Sequence, residues 1–390
     1  IGTFYTTGMD SAKIESLGVE PILPEFEKIK AIENINDVVK QFAYNNVNGL
    51  GSLFYFFGAS DADNSEMNIA QVHQGGLGLP DRDYYLLEDD RSVEIRKEYV
   101  RFMTNMFVLL GDDAELAEKN ANIIMGIETR LAENSMTRLE QREPANVNNK
   151  MKISEVDELT GNFDFNLYLN EFGMGNLEII NVRQPEFFGF IAQLMNDVSV
   201  DDWKTYFRWK LINSTSSYLS SDFDGLSFDF YGKFLRGQEK QKPRWRRMVG
   251  ATNGVLGEAV GQKFVEKYFP ADAKQRMETL VANLQGAFAE RIKASTWMTP
   301  ETQKKAEAKL SSMLVKIGYP DKWRDYSKLE ITDSYVQNIF NSNRFDFEYM
   351  LSKIGKPIDK NEWQMNPQTV NAYYDPSTNE ICFPAGILQP

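Results

Sequence analysis

The segment NAYYDPSTNEICFPAGILQP, residues 371–390, predicts two short strands around a turn. The strands are Asn-Ala-Tyr-Tyr and Ile-Cys-Phe, and the residues between them, Asp-Pro-Ser-Thr-Asn, are of the types that turns favour. Successive side chains of a strand point to opposite faces. Asn371 and Tyr373 should therefore share one face, and Ala372 and Tyr374 the other. Pro-Ala-Gly then closes this predicted hairpin.

The first strand of the hairpin is a candidate peptide-binding strand. If it lies at the edge of a sheet, an extended peptide could pair with it through main-chain hydrogen bonds. The side chain of Asn371 offers both a donor and an acceptor, so it can hold both polar groups of a peptide unit. The alternative is a purely structural hairpin, and the spacing alone favours that alternative.

Upstream of the hairpin, helical periodicity dominates the sequence. Apolar residues after Asp89 recur with the period of a helix, and the pattern stops at Gly111. Asp112 and Glu115 have the spacing of a capping box that opens the next helix. Strand signals are sparse before Val370. The sequence thus predicts a mainly α protein that acquires strands only near residue 370.

A later helix carries an apolar stripe and precedes the predicted domain boundary. The stripe consists of residues with helical spacing: Met277, Leu280, Val281, Leu284, Phe288 and Ile292. Thr299 and Pro300 form a favoured N-cap and first-turn pair for the helix that follows. We place the change of domain here, which predicts one domain over residues 1–298 and a second over residues 299–390.

The charge balance argues against nucleic acid as a partner, and the cysteine count excludes an internal disulfide. A formal net charge of −13 argues against nucleic acid as the main partner, because phosphate binding needs a positive surface. The one basic run, KQKPRWRRMV at residues 240–249, contains Trp245 and could stack a base. In so acidic a chain, we expect its arginines to pair with acidic neighbours instead. The only cysteine, Cys382, rules out an internal disulfide.

The chain contains a single histidine, His73. Catalytic zinc sites usually need several His ligands, and most general bases near neutral pH are His. We therefore expect no complete His-rich metal centre, and we interpret His73 as a packed or surface residue. The glycines of HQGGLGLPDRDYY, residues 73–85, could suggest a phosphate loop, but no strand signal precedes them and no Gly-Lys-Ser/Thr follows. A structured turn that leads into a helix is favoured.

Four segments together resemble the neprilysin family of zinc metallopeptidases. VNAYYDPSTNEICFPAGILQP is similar to the family's Asn-Ala-(Tyr/Phe) strand and its Phe-Pro-Ala-Gly-Ile-Leu-Gln-Pro segment. The other three are GLGLPDRDYY (76–85), PRWRRMV with LGEAVGQKFVEKYF (243–269), and WMTPETQKKAEAKL with KIGYP (297–320). They occur in the family's order and cover nearly the whole chain.

The resemblance implies a mainly α fold, in which a large helical lid domain is followed by the first strands of a thermolysin-like α+β catalytic domain. A chamber between the domains would admit peptide substrates. In this family, the residue matched by Asn371 binds the substrate main chain with its side-chain amide, and the residue matched by Ala372 does so with its backbone. Ile387 matches a residue that lines the apolar pocket for the side chain just after the scissile bond.

The chain departs from the family pattern because it has neither the His-Glu-x-x-His nor the Glu-x-x-x-Asp motif. In the family, these motifs hold one zinc ion and activate water. The resemblance therefore implies that all catalytic residues and all metal ligands lie outside this chain, and that the chain alone is inactive. The usual N-terminal segment of the family is also expected to be missing.

Two accounts of this departure remain open. In the first, the chain is part of a zinc metalloendopeptidase, completed by a C-terminal catalytic segment of the same protein or by a separate chain. In the second, it is a non-catalytic helical peptide-binding module. The first account is favoured, because the match continues without decay to residue 390. The resemblance also implies a bacterial member located outside the cytoplasm, in the periplasm, in the cell envelope or secreted.

Overall fold

A computed structural model describes residues 1–389 and shows a mainly α-helical protein, so the predicted fold class is confirmed. The helices up to residue 133 are α1 (Gly2–Met9), α2 (Ser11–Leu17), α3 (Leu23–Lys30), α4 (Ile35–Asn48), α5 (Asp83–Leu86), α6 (Asp90–Leu109) and α7 (Ala114–Glu133). Those up to residue 268 are α8 (Ile153–Thr160), α9 (Phe165–Asn170), α10 (Pro185–Asp197), α11 (Val200–Thr215), α12 (Ser221–Ser227), α13 (Arg244–Val255) and α14 (Gly257–Tyr268). The last are α15 (Ala271–Lys293), α16 (Pro300–Ser311) and α17 (Tyr335–Leu351). Over the described residues, none of these helices has the combined length and apolar character needed to cross a membrane.

The strands form two separate sheets. The first sheet has the order β1-β2-β4-β3 and consists of β1 (Phe54–Asp61), β2 (Asn64–Gln74), β3 (Lys150–Lys152) and β4 (Ile179–Val182). The second has the order β5-β7-β6 and consists of β5 (Leu314–Gly318), β6 (Tyr373–Asp375) and β7 (Glu380–Pro384). In the second sheet, the central strand β7 runs parallel to β5 and antiparallel to β6.

One face of the first sheet packs against the helices, and the opposite face, here called the polar face, carries polar side chains beside two aromatic residues: Gln71, His73, Asn181 and Arg183 beside Tyr55 and Phe57. Phe54 of β1, Val72 of β2 and Val182 of β4 belong to a large cluster of buried apolar residues shared with the helices. Val336 and Phe340 of α17 belong to the same cluster. The chain therefore contributes to this core again after residue 299, through α17. The boundary at 298/299 stays a prediction.

The expectation that strands appear only near residue 370 is wrong, because β1 and β2 form a long antiparallel hairpin. Their pairing runs from Phe54 with Gln74 to Ser60 with Asn68. The sequence of β1, FYFFGASD, places aromatic residues on both faces, which hides the alternation that identifies a strand. Pairing and packing in the folded protein, rather than a local pattern, stabilise such strands. Contrary to expectation, a strand also comes directly before the glycine-rich turn.

The N-cap of α16 is the predicted residue, and the N-cap of α7 lies one residue after the predicted one. Thr299 caps α16 as expected and accepts a hydrogen bond from the Thr302 N–H at 3.2 Å. At α7, the predicted capping box is wrong by one residue, because Asp113 is the cap and accepts from the Leu116 N–H at 2.9 Å. Asp112 instead pairs with Arg208 at 2.8 Å. Because its carboxylate is engaged in this long-range ion pair, Asp112 does not cap the helix.

A buried ion pair holds the glycine-rich turn in place. The Glu128 carboxylate and the Lys210 ammonium lie 2.8 Å apart, with side chains 0% and 6% exposed. The second oxygen of Glu128 accepts from the Tyr85 hydroxyl at 2.6 Å, from the Tyr99 hydroxyl at 3.0 Å and from the Gly78 N–H at 3.1 Å. Burial raises the pKa of both tyrosines well above the ordinary value, so both hydroxyls stay protonated and donate. The favoured interpretation, a structured turn, is confirmed.

The glycines of this turn meet two different constraints. A Cβ at Gly78 would lie 1.8 Å from the Tyr99 hydroxyl oxygen, so only glycine lets the backbone approach the Glu128 cluster. Gly76 has a φ of +84°, a conformation that residues with a Cβ rarely adopt. Its carbonyl oxygen accepts from the Lys210 ammonium at 2.7 Å. The turn therefore depends on both glycines and on the buried charges.

We expect Lys210→Met to destabilise the protein strongly. Removing one partner of a buried ion pair leaves an uncompensated charge, here Glu128, at a cost of about 3–5 kcal/mol in the free energy of unfolding. Urea unfolding followed by circular dichroism measures this loss. Lys263→Met is the matched control, because its pair with Glu266 is exposed, and it should change stability little. Similar small losses in both variants would contradict a structural role for the buried pair.

Candidate functional site

The predicted C-terminal hairpin is present, and its first strand lies at the edge of the second sheet. β6 pairs only with β7, from Tyr373 with Cys382 to Asp375 with Glu380. Asn379 in the connecting turn has a φ of +51°, which asparagine tolerates better than most residues. The edge position that a peptide-binding strand requires is therefore met.

Glu380, on the central strand β7, links the three strands of this sheet. Its two carboxylate oxygens each lie 2.8 Å from the ammonium of Lys316 on β5. One of the same oxygens accepts from the hydroxyl of Tyr373 on β6 at 2.8 Å. The side chains of Lys316 and Glu380 are only 6% and 3% exposed. A buried carboxylate with donors on both neighbouring strands fixes where β6 lies.

Two further groups near Glu380 have raised pKa values that bear on their chemistry. Burial, followed by the hydrogen bond to Glu380, raises the pKa of Tyr373 far above its ordinary value, so its hydroxyl remains a donor. Burial raises the pKa of the Cys382 thiol to about 11. At neutral pH, Cys382 is therefore a protonated, buried thiol and is not suited to act as a nucleophile.

Asn371 and Ala372 come immediately before β6, at the open end of the hairpin. Asn371 is exposed and Ala372 is half-buried. The Asn371 side-chain oxygen accepts from the Ala372 N–H at 2.8 Å. Among residues 1–389, the Asn371 amide nitrogen and the carbonyl oxygens of both residues have no hydrogen-bond partner. One donor group and two acceptors are thus available at this edge.

Ile387 lies at the same end of the hairpin as Asn371. It belongs to a short 3-10 turn, Ala385–Leu388, that directly follows β7, and 41% of its surface is exposed. The turn is held firmly, because the Gly386 N–H donates to the Pro367 carbonyl at 2.7 Å and Ala385 is fully buried. The antiparallel register brings the residue before β6 level with the end of β7. The three residues singled out from the sequence therefore lie at the same end of the hairpin.

A large cavity lies at the opposite end of the hairpin. It has a volume of about 880 Å³ and separates the polar face of the first sheet from the turn that joins β6 to β7. Its wall includes Gln71, Asn181 and Arg183 on one side and Asp375 and Thr378 on the other. Asn371, Ala372 and Ile387 are not part of this wall. The sequence did carry a signal for it, since the polar residues Asn181 and Arg183 alternate with the apolar residues Ile180 and Val182.

His73, on the same polar face, is a packed residue as expected. The Gln184 side-chain oxygen accepts from the Gln74 N–H at 2.9 Å, which turns the Gln184 amide nitrogen toward His73. That nitrogen lies 2.9 Å from His73 Nδ1, so Nδ1 accepts and carries no proton. Burial, and next the charge of Arg183, lower the pKa of His73 to about 4. His73 is therefore neutral at physiological pH.

The basic run at residues 240–249 serves the fold. Arg247 pairs with Asp224, with one guanidinium nitrogen 3.0 and 2.7 Å from the two carboxylate oxygens, which confirms the expected acidic pairing. The Arg244 side chain donates to the Gly8 carbonyl at 2.7 Å and joins α13 to α1. These contacts engage two of the five basic residues of the run in the fold.

The fold matches solved structures of zinc metalloproteases. One is the Mycobacterium tuberculosis zinc metalloprotease Zmp1 in complex with inhibitor, with a TM-score of 0.93, 33% identity, and coverage of 100% of this chain and 59% of that chain. PepO from Lactobacillus rhamnosis has a TM-score of 0.87 at 23% identity, covers 100% of this chain and 62% of its own, and supports the fold alone. The architecture is thus that of part of a metallopeptidase.

The family model described as peptidase family M13 matches residues 1–320, and the chain belongs to this family. Its relatives include an endothelin-converting enzyme homolog of Locusta migratoria, 31% identical over 417 residues that cover 99% of this chain and 57% of the locust protein. Endothelin-converting enzyme 1 of Homo sapiens is 28% identical, with 99% of this chain and 52% of the human protein covered. The chain spans about half the length of these relatives. The resemblance to the neprilysin family is confirmed.

The zinc ion that this family implies does not fit the residues of this chain by themselves. Within residues 1–389, no group of three or more His, Cys, Asp or Glu side chains is arranged to hold a metal ion. Nδ1 of His73 already accepts a hydrogen bond from Gln184. We therefore derive no catalytic step through zinc from these residues.

We expect the neutral state of His73 to make stability depend on pH. Its pKa of about 4 in the folded protein lies below the ordinary value of about 6.5, so between these values the unfolded chain binds more protons. The contribution of neutral His73 to the free energy of unfolding is complete above about pH 6.5 and is lost as the pH falls toward 4. Thermal unfolding of the wild type and of His73→Asn, which keeps an acceptor near Nδ1, should show a shallower loss in the variant. Identical losses across this range would contradict the assignment.

Proposed function

We propose that this chain is the substrate-binding part of an M13 zinc metalloendopeptidase, and that peptides bind in extended form along the edge strand β6. The observation that carries the proposal is the free edge itself. Just before β6, Asn371 and Ala372 present a donor group and two carbonyl acceptors that have no partner among the described residues. A peptide backbone supplies the complementary groups at a regular spacing.

The rigidity of β6 supports this proposal. Tyr373 is held by Glu380, and Glu380 is held by Lys316, so the strand is already in place before a peptide arrives. A preformed edge avoids part of the entropic cost of ordering the binding strand. Because these contacts use main-chain groups of the peptide, they accept many different sequences. Such tolerance suits an endopeptidase.

We further propose that Ile387 contributes to an apolar contact for the substrate side chain just after the scissile bond. Ile387 is 41% exposed although it is apolar, and two neighbours along the open edge, Val370 and Tyr374, are 77% and 45% exposed. Exposed apolar residues in a cluster often mark a binding surface. Burial of a hydrophobic substrate side chain there would supply the preference that the family resemblance implies.

We propose that residues 1–298 form the lid and residues 299–390 begin the catalytic domain, with α17 returning to pack on the lid. The zinc ligands and the groups that act on water would belong to a C-terminal catalytic segment outside residues 1–390. The greater length of the relatives supports this division, since this chain covers 57% of the locust protein and 59% of the Zmp1 chain. Location outside the cytoplasm follows from the family resemblance and is open to test by cell fractionation.

The surface of α15 supports a tight association with that catalytic segment. Three apolar residues of the predicted stripe are largely exposed: Leu280 at 47%, Leu284 at 60% and Phe288 at 53%. Trp297, just beyond the helix, is 79% exposed. A stripe of this kind on a long helix normally lies against another element. We assign the catalytic segment of the same protein as the element that covers it.

We expect the 390-residue chain alone neither to bind zinc tightly nor to cleave peptides, and we expect both properties after the catalytic segment is added. Zinc content by atomic absorption and cleavage of a fluorogenic peptide measure them. The double variant Leu284→Gln/Phe288→Gln should weaken the restoration, because it removes apolar surface from the contact. Lys304→Gln/Lys305→Gln, on the exposed part of α16, is the control. Tight zinc binding by the chain alone would refute this division. A module without catalysis is favoured if addition of the segment restores nothing.

In the complete enzyme, we expect Asn371→Ala to lower kcat/KM by roughly 5- to 150-fold, equivalent to about 1–3 kcal/mol. The physical reason is that the polar groups of a bound peptide unit would lose their partner while shielded from water. Steady-state kinetics with one peptide substrate measures the change. Asn176→Ala, at an exposed loop position, is the matched control. Unchanged kinetics for Asn371→Ala would reject its role in substrate binding.

A further inference from the structure

The polar face of the first sheet carries a cation that has no anionic partner. Gln71 of β2 lies beside Asn181 of β4, and Arg183 follows two residues later on the same face. The backbone N–H of Arg183 donates to the backbone carbonyl of Val72 at 3.0 Å, which fixes the backbone of Arg183 against β2. The Arg183 side chain then contributes to the wall of the 880 Å³ cavity.

Four other charged side chains of this wall are paired with protein groups of opposite charge, whereas Asp359 and Asp375 make no salt bridge within the described residues. Lys353 pairs with Glu362 at 2.8 Å, and Asp61 pairs with Lys150 at 2.6 Å. Glu380 is held by Lys316 at 2.8 Å. Each of these carboxylates and ammonium groups therefore already has its counterion. None of them calls for a charged ligand.

Arg183 differs from these groups in both charge pairing and hydrogen bonding. Among residues 1–389, its guanidinium makes no salt bridge and no hydrogen bond, and its Nε is buried without a partner. An unpaired guanidinium at a cavity wall gains charge-assisted hydrogen bonds when an anionic acceptor binds in the cavity. The two terminal nitrogens of the guanidinium can donate to the two oxygens of a carboxylate that approaches from the cavity, whereas the buried Nε is out of reach.

The surroundings favour a singly charged ligand over a phosphate. Asp61, Asp375, Glu362 and Glu380 all contribute to the same wall, and the whole chain carries a net charge of −13. A doubly charged phosphate would meet more repulsion here than a carboxylate, and only one free guanidinium in the described wall would compensate it. The chemistry of the site therefore points to one carboxylate at a time.

The position of the cavity connects Arg183 to the edge strand. The turn after β6 lines the cavity, so a peptide that paired with β6 and continued past Asp375 would reach the cavity that Arg183 also lines. Each residue of an extended peptide advances about 3.3 Å. A peptide of about six to eight residues can then pair with the edge and reach several residues beyond it.

We infer that Arg183 binds a carboxylate of the bound peptide, supplied either by an acidic side chain or by the C-terminus. This inference rests on the proposed function, because it takes a peptide along β6 as given. Arg183 would thus select among peptides that β6 accepts without regard to sequence. Such a residue adds specificity at a distance from the scissile bond.

The test measures binding of fluorescent octapeptides to the 390-residue chain by anisotropy. Three peptides share an Ala/Leu sequence: a neutral C-terminal amide, the same peptide with a free C-terminal acid, and the amide with one internal Glu. We expect one or both carboxylate peptides to bind roughly tenfold more tightly than the neutral amide. The peptide that gains affinity identifies the source of the carboxylate.

Variants of Arg183 decide whether this gain belongs to that residue. Arg183→Met should abolish the gain and leave binding of the neutral amide unchanged, whereas Arg183→Lys should keep only part of it, because lysine lacks the paired N–H groups. Arg183→Lys also serves if the methionine variant fails to fold. Arg142→Met removes the same charge from an exposed position outside the cavity wall and should retain the full gain.

The outcomes separate this inference from the proposed function. If all three peptides bind the wild type equally, or if Arg142→Met loses as much of the gain as Arg183→Met, the role of Arg183 is refuted. In that case, the proposed function still stands, provided that Asn371→Ala weakens binding of every peptide. If no peptide binds the chain, or if Asn371→Ala changes nothing, the proposed function fails. The absence of all binding refutes the inference as well.

Discussion

The buried carboxylate of Glu380 is the contact on which the candidate peptide-binding edge depends. It stands on the central strand of a small sheet and receives an ammonium from one neighbouring strand and a hydroxyl from the other. A carboxylate this deeply buried is tolerated only while its donors remain in place. The requirement therefore works in both directions: Lys316 and Tyr373 satisfy Glu380, and Glu380 fixes the strand that directly follows Asn371 and Ala372.

A second buried carboxylate plays the same part on the other side of the cavity. Glu128 gathers Lys210, two tyrosine hydroxyls and the N–H of Gly78, and so it anchors the turn that follows β2. That anchor keeps the first sheet against the helices and leaves its polar face toward the cavity. Glu380 thus contributes to one wall of the cavity, and Glu128 anchors the turn after β2, the strand that carries Gln71 in the other wall. Rigid walls are what a site needs if it is to hold an extended peptide in one register.

The comparison with the sequence shows where local patterns suffice. The helices, the Thr299 cap and the C-terminal hairpin were predictable, because their contacts join residues only a few positions apart. The β1-β2 hairpin was missed, since aromatic residues on both faces conceal its alternation. The cap of α7 was misplaced by one residue, because Asp112 is drawn into an ion pair with Arg208, 96 positions away. Only the second error reflects a distant partner, since β1 and β2 are neighbours along the chain.

The sequence by itself determined the mainly α class, the hairpin near its end and membership of a metallopeptidase family. The tertiary structure decided which charges are neutralised and which are free. Arg183 is one of many basic residues in the sequence, and nothing nearby distinguishes it. Its lack of a partner becomes visible only once β2 and β4 are paired, as in the contact between Gln71 and Asn181 across 110 positions. Charge pairing depends on neighbours in space, which local sequence patterns do not record.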